Sequence, residues 1–186
     1  MSEESGFPDN LAGWTLAAHP NLLDPTFRRT LVYISHYQTL KGAKGMILNR
    51  PLHRKLGDLE GIDEDQQRFA SVPIFYGGPV DDNHLHLMEI GWESEPPPHY
   101  IDYSSYPKGI PEEVENPCFL RAFAGFAQWA PGQLEGELAN KDWIVIPPGE
   151  TLFLPTSNES TWKTLLQETS PLLGLLAQIP LHPENN

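Results

Sequence analysis

The sequence predicts an α+β fold, and three observations carry that expectation. Its apolar residues fall into brief runs divided by turn residues, the pattern of short strands. Proline supplies 19 of 186 residues, about twice the usual share, which excludes a coiled coil or a long helical bundle. A few short helical segments are mixed among the strands without regular strand–helix–strand alternation, so a doubly wound sheet is not expected. A chain of this length buries about 70% of its unfolded surface and needs neither disulfide nor metal to hold a core.

Residues 1–10 read as a disordered tail and residues 11–186 as one domain. Residues 14–18 and 30–37 are expected strands, the second on the strength of Leu31, Val32, Tyr33 and Ile34. Residues 45–48 form a short buried strand that runs into Asn49-Arg50-Pro51. Residues 56–59 open a short helix before the acidic turn Asp63-Glu64-Asp65. Residues 72–76 are a strand ended by Gly77-Gly78-Pro79, with residues 85–90 as its hairpin partner. Residues 91–117 are acidic and carry Pro96, Pro97, Pro98, Pro107, Pro111 and Pro117, so they read as a loop-like insertion within the domain. Residues 119–129 are the next strand. Pro131 suits the first turn of a helix through Gln133, Leu134, Glu137 and Leu138, where its missing N–H costs nothing. Residues 143–146 are a strand, and residues 161–169 and 171–178 two closing helices.

The net charge of −13 repels bulk nucleic acid and anionic membrane. The charge is uneven. Residues 26–57 hold Arg28, Arg29, Lys41, Lys44, Arg50, Arg54 and Lys55 and no acid. Such a stretch either receives an anion or an acidic partner, or it solvates a sheet face and pairs with the acidic remainder. One cysteine, Cys118, makes neither an internal disulfide nor a cysteine-rich zinc site. The acidic N-terminus lacks the pattern of a secretory signal, and no long apolar run spans a membrane. A cytoplasmic protein is the expectation.

Few residues point to chemistry. His84 and His86, two apart on a strand near Asp81 and Asp82, would share one face, but surface histidines near a turn read more simply than a metal site. Gly77-Gly78 after a strand offers backbone amides to an anion, yet Pro79 removes a donor and no Lys-Ser/Thr follows, so a tight turn is the plainer reading. Asn49-Arg50 at a strand end is more pointed. Arg grips a carboxylate or phosphate with two parallel bonds; the bland alternative is an Arg that stitches loop carbonyls. Glu135 and Glu137 lie on different faces of their helix and make no acid/base pair. Trp129 and Trp143 read as core anchors. No nucleophile elbow is present, and Cys118 reads as a small apolar residue. No cofactor or metal is expected.

Taken in order, these pieces resemble one bacterial family, the AlgH/YqgE proteins. The matching segments are Asp24-Pro25-x-Phe27 before the strand at residues 30–34, then Gly42-Ala43-x-Gly45-Met46-Ile47-Leu48-Asn49-Arg50-Pro51. Gly77-Gly78-Pro79-Val80 with Leu85-His86 follow, and then Gly125-x-Ala127-x-Trp129-x-Pro131-Gly132-Gln133-Leu134-Glu135-x-Glu137, ending at Trp143. The resemblance covers roughly residues 11–170. It implies a branched, mixed β-sheet with a small barrel-like part, surrounded by short helices. It also implies a description as transcriptional regulators, which rests on a genetic link to alginate production, and it carries over no catalytic residue. The positions it singles out are Asn49, Arg50, Gly77, Gly78, Gln133 and Glu137. The family's usual Tyr, Gly and Gly are replaced here by Phe126, Gln128 and Ala130.

Two functional readings follow. One is a non-catalytic regulatory or binding protein that works through a protein partner or an anionic small molecule, without direct duplex DNA binding and away from membranes. The other is a binder of, or an enzyme on, a phosphorylated or carboxylated metabolite in a cleft near Asn49-Arg50 and Gly77-Gly78. The bonding of the Arg50 guanidinium discriminates: one satisfied entirely by carbonyls has nothing left for a ligand.

Overall fold

A computed structural model describes residues 8–59, 67–91, 99–102, 120–147 and 158–180. Among these residues nine strands form one mixed sheet that curls into a half-barrel, with three α-helices against it, as the α+β expectation requires. Strand β1 (Thr15–Ala18) lies between β2 (Leu31–Gln38) and β9 (Trp143–Ile146), antiparallel to both. Strand β3 (Gly42–Ile47) pairs with β2, across a bulge between Ile34 and His36, and with the C-terminal end of β8 (Leu120–Trp129). Over Ala122 to Ala124, β8 runs parallel to β5 (Pro73–Tyr76), which carries the edge strand β4 (Pro51–Lys55). The opposite edge of that stretch takes β6 (Val80–Gly91), itself paired with β7 (His99–Asp102). The sheet therefore forks at β8.

Three glycines make the fork passable. The Ile47 N–H donates to the Gly77 carbonyl at 2.9 Å, and the Gly77 N–H to Ala124 at 2.8 Å. A Cβ on Gly77 would sit 2.1 Å from the Gly125 oxygen, and one on Gly78 2.2 Å from the Phe126 carbonyl carbon. Gly125 has a φ of +67° and is crowded by the Gly78 oxygen. All these neighbours are backbone and cannot move aside as a side chain would.

The period of two in the strands sorts the core onto two faces. Tyr33, Met46, Leu48, Phe75 and Phe123 form one cluster, closed by Trp162 and Leu166 of α2 (Glu159–Thr169) and Ala177 of α3 (Pro171–Ala177). Val32, Ile34, Ile47, Trp129 and Trp143 form a second, closed by Leu134 and Leu138 of α1 (Gln133–Ala139), and Ile74, Leu87 and Leu120 belong to a third with Leu56 and Phe69. Each large apolar side chain buried contributes about 1.5–3 kcal/mol. The Trp162 indole also donates to the Ala18 carbonyl at 2.8 Å, which ties α2 to β1. Asn158 caps α2 by accepting from the Ser160 N–H, and Thr161 Oγ1 accepts from the Asn158 N–H.

Several expectations need correction. The strand expected at residues 85–90 spans Val80–Gly91 and is not the hairpin partner of β5. The Gly77-Gly78 segment passes across β8, so β5 and β6 occupy its two opposite edges. Strand β4 was not expected. As an edge strand with four of five residues exposed, it needs no apolar face and leaves no alternation to read. Residues 56–59 make only a single 3₁₀ turn, Leu56–Asp58. Within the segment read as loop-like, His99–Asp102 is a strand; its prolines, like Cys118 and the tail to residue 7, lie outside the described residues. Pro131 falls in the turn before α1, and Gly132 in the left-handed region (φ 77°) forms the N-cap.

Candidate functional site

The six candidate residues occupy three separate places. Gly77 and Gly78 line the fork, where their backbones press against β8. Gln133 and Glu137 lie on one face of α1 over the second core cluster. The Oε2 of Glu137 accepts from the indole N–H of Trp129 at 2.8 Å and of Trp143 at 2.7 Å, and its Oε1 accepts from the Gln133 amide at 3.0 Å. Gln133 Oε1 in turn accepts from the Ala130 N–H. The two indoles meet edge to face at 6.1 Å, and Phe27 completes the aromatic cluster. This carboxylate has three donors and serves to pin α1 to β8 and β9. Glu135, two residues earlier, points elsewhere and accepts from the Tyr37 hydroxyl.

Asn49 and Arg50 follow β3 and behave differently from each other. Asn49 is buried and committed. Its Oδ1 accepts from the Leu31 N–H at 2.8 Å, and its Nδ2 donates to the Arg29 carbonyl at 2.9 Å and, more loosely, to that of Asn158. Arg50 is half-buried, and Nη2 donates to the Arg28 carbonyl at 2.6 Å. The two side chains thus hold consecutive carbonyls of one turn, whose Arg29 has a φ of 56°. The other donors of Arg50 have no acceptor among the described residues.

Arg50 lines an open groove of about 580 Å³ with Pro51, Leu52, His53, Tyr76 and the start of α2 at Asn158-Glu159. Burial pulls its pKa below the usual guanidinium value. Glu159 opposes this, while Arg28 and Arg29 add to it. Glu159 is itself engaged in an ion pair with Arg29. Arg50 and Glu159 are the fully charged side chains of the groove lining, and Arg28 and Arg29 lie close enough to act on Arg50 from beside it. Its rim bulges: the β4–β5 register shifts between Pro51 and Arg54, and His53 takes a φ of 54°, a strained value for a residue with a side chain. Sequence reasoning missed His53, Tyr76, Asn158 and Glu159. Tyr76 directly precedes the flagged Gly77, but nothing local links Asn158-Glu159 to a residue more than a hundred positions earlier.

The basic stretch divides as the bland reading requires in part: Arg29 pairs with Glu159, Arg54 donates to the Asp58 carbonyl, and Lys44 covers the Phe126 ring. The two histidines both lie beside the Asp81 carboxylate, with His84 Nδ1 at 2.5 Å and His86 Nε2 at 3.7 Å, but differ in burial. His84 is exposed, while His86 is buried edge-on to Phe126. Among the described residues no cluster of three metal-ligating side chains occurs. No described helix is long and apolar enough to cross a membrane.

Comparison with known proteins agrees with this architecture. Among solved structures, a protein of Corynebacterium diphtheriae superposes with a TM-score of 0.69 at 20% identity, over 92% of this chain and 94% of its own. The solution structure of the AlgH protein from Pseudomonas aeruginosa gives 0.62 at 21% identity, over 96% and 98%. These show a shared fold. In sequence, a UPF0301 protein of Nocardia farcinica is 32% identical over 94% of this chain and 85% of its own length. One of Coxiella burnetii is 33% identical over 89% and 90%. A family model described as DUF179, AlgH-like, matches residues 15–172, which takes in the fork, the tryptophan-bound carboxylate and the Arg50 groove alike, and the chain belongs to that AlgH-like family.

Proposed function

We propose that this is a non-catalytic binding protein with a regulatory role, whose ligand is a phosphorylated or carboxylated small molecule held at Arg50. The observation that carries the reading is the guanidinium itself: one described bond, to a backbone carbonyl, holds it, and the side chain lines an open groove. An oxyanion there meets charge-assisted bonds and relieves the crowding of three arginines. The described groove residues include no nucleophile hydrogen-bonded to a base, which favours binding over catalysis. The net charge of −13 argues against direct contact with duplex DNA, so any regulation runs through the ligand or a protein partner.

The test is a thermal-shift screen of the purified chain at low salt against phosphorylated metabolites, nucleotides and dicarboxylates. A ligand at about 100 times its Kd raises the melting temperature of a chain this long by roughly 5–10 °C. The expected result is such a rise in the wild type and its loss in Arg50→Ala. A flat response across the panel, or a rise that survives the substitution, overturns the reading.

A further inference from the structure

A second arginine lies wholly inside the molecule. Arg121 on β8 is 1% exposed. Its Nη1 donates a long bond of 3.4 Å to the Leu48 carbonyl, and its guanidinium carbon lies 4.7 Å from the centre of the Phe75 ring. Its Nε and Nη2 are closed to solvent and have no hydrogen-bond partner among the described residues. Burial without a described counter-ion pulls its pKa down to about 10. Buried donors are satisfied in the great majority of folded proteins, so two unmet donors on one charged side chain call for an acceptor.

The two atoms define that acceptor. Nε and Nη2 lie along one side of the planar guanidinium, and their N–H bonds are near parallel. A carboxylate matches this edge with both oxygens at once. The surroundings narrow the class. Leu48, Phe75 and Phe123 belong to one apolar cluster together with Met88, the cross-strand partner of Arg121 on β6. A single negative charge neutralises the guanidinium in this low-dielectric setting, whereas a phosphate dianion brings a second, uncompensated charge into the core. The side chains around it are apolar and closed to solvent, so an incoming tail has to part them.

We propose that Arg121 anchors an internal binding site for a monocarboxylic acid with a short apolar tail. The carboxylate takes the Nε and Nη2 hydrogens, and the tail lies in the Phe75–Met88–Phe123 cluster. Entry requires a local opening, for which Met88 is suited: its unbranched side chain changes rotamer readily. Arg121 does not line the Arg50 groove, and the proposal does not rest on that groove.

The experiment replaces sodium chloride by sodium butyrate at constant ionic strength and follows the melting temperature of the full chain. The wild type is expected to gain roughly 5–10 °C at about 100 times the Kd. Arg121→Met, which keeps the length without the charge, is expected to show no butyrate response, and Arg50→Ala to keep it. No shift in the wild type, an equal shift in Arg121→Met, or an equal effect of inorganic phosphate overturns the proposal. Should the variant fail to fold, the Nε–H resonance of Arg121 in the wild type, assigned through its own side chain, gives the answer. Butyrate is expected to move it downfield as the bond forms; a resonance that stays put overturns the proposal.

Discussion

Glu137 and Arg50 are both charged residues that the family resemblance singles out, and they stand in opposite conditions. The carboxylate of Glu137 accepts from two indoles and an amide. The guanidinium of Arg50 spends one nitrogen on a carbonyl, and the side chain lines an open groove. A charge with its bonds filled locally holds the fold, and a charge with bonds to spare has something to offer a ligand. The fork glycines and Asn49 stand with Glu137: their surroundings account for them fully. Arg50 alone of the six has unspent bonding capacity among the described residues.

Substitutions break this contrast in order of size. Gly77→Ala drives a Cβ into the Gly125 oxygen, and the expected loss exceeds about 4 kcal/mol, read as a chain that does not unfold cooperatively in urea. A soluble, cooperatively folding Gly77→Ala protein would show that the fork yields. Glu137→Ala strands two indole donors and is expected to cost roughly 3–5 kcal/mol by chemical denaturation. If it costs under about 1 kcal/mol, the carboxylate is not structural and the comparison collapses.

Arg121→Met, in buffer free of carboxylate, is expected to gain about 3 kcal/mol at neutral pH. That is the order of the burial penalty implied by a fall from the ordinary guanidinium value to about 10. The sign follows from the folded pKa being the lower one. Below pH 10 the charge is carried in both states and the full penalty stands. From about pH 10 upward the folded chain sheds the proton first, so the advantage of the variant shrinks as pH rises. Denaturation midpoints at pH 7 and pH 11 check this. Asn49→Ala leaves the Leu31 N–H without its acceptor and is expected to cost about 2–3 kcal/mol. Arg50→Ala is expected to change stability least, by about 1 kcal/mol, while removing the response to phosphorylated metabolites, nucleotides and dicarboxylates. An Arg50→Ala protein as damaged as Asn49→Ala would place Arg50 with the structural group.

What the sequence made legible follows from what is local. Strand β2 shows itself because Leu31, Val32, Tyr33 and Ile34 are all buried in a central position. Trp129 and Trp143 read as anchors because an indole rarely has another use, but their common acceptor, Glu137, was not evident from helix spacing. Strand β4 stayed hidden because an edge strand needs only one neighbour. The pairing of β5 with β8 stayed hidden because it joins segments some fifty residues apart, in parallel, where no turn marks the register. The groove was half legible: Asn49-Arg50 and the basic stretch announced one wall, while the cap of α2 supplies the other from far along the chain.

The fork also bears on how the chain assembles during synthesis. Without β8 the sheet separates into three pieces: β9 with β1, β2 and β3; β5 with β4; and β6 with β7. Two of these pieces, and most of the third, leave the ribosome before β8 is made, each with a raw strand edge that waits for a segment ending at Trp129. The nascent chain therefore passes through an interval in which its most adhesive surfaces are open to other molecules. The late arrival of a single ten-residue strand closes them together, and a chain that stalls before residue 120 is expected to depend on chaperones.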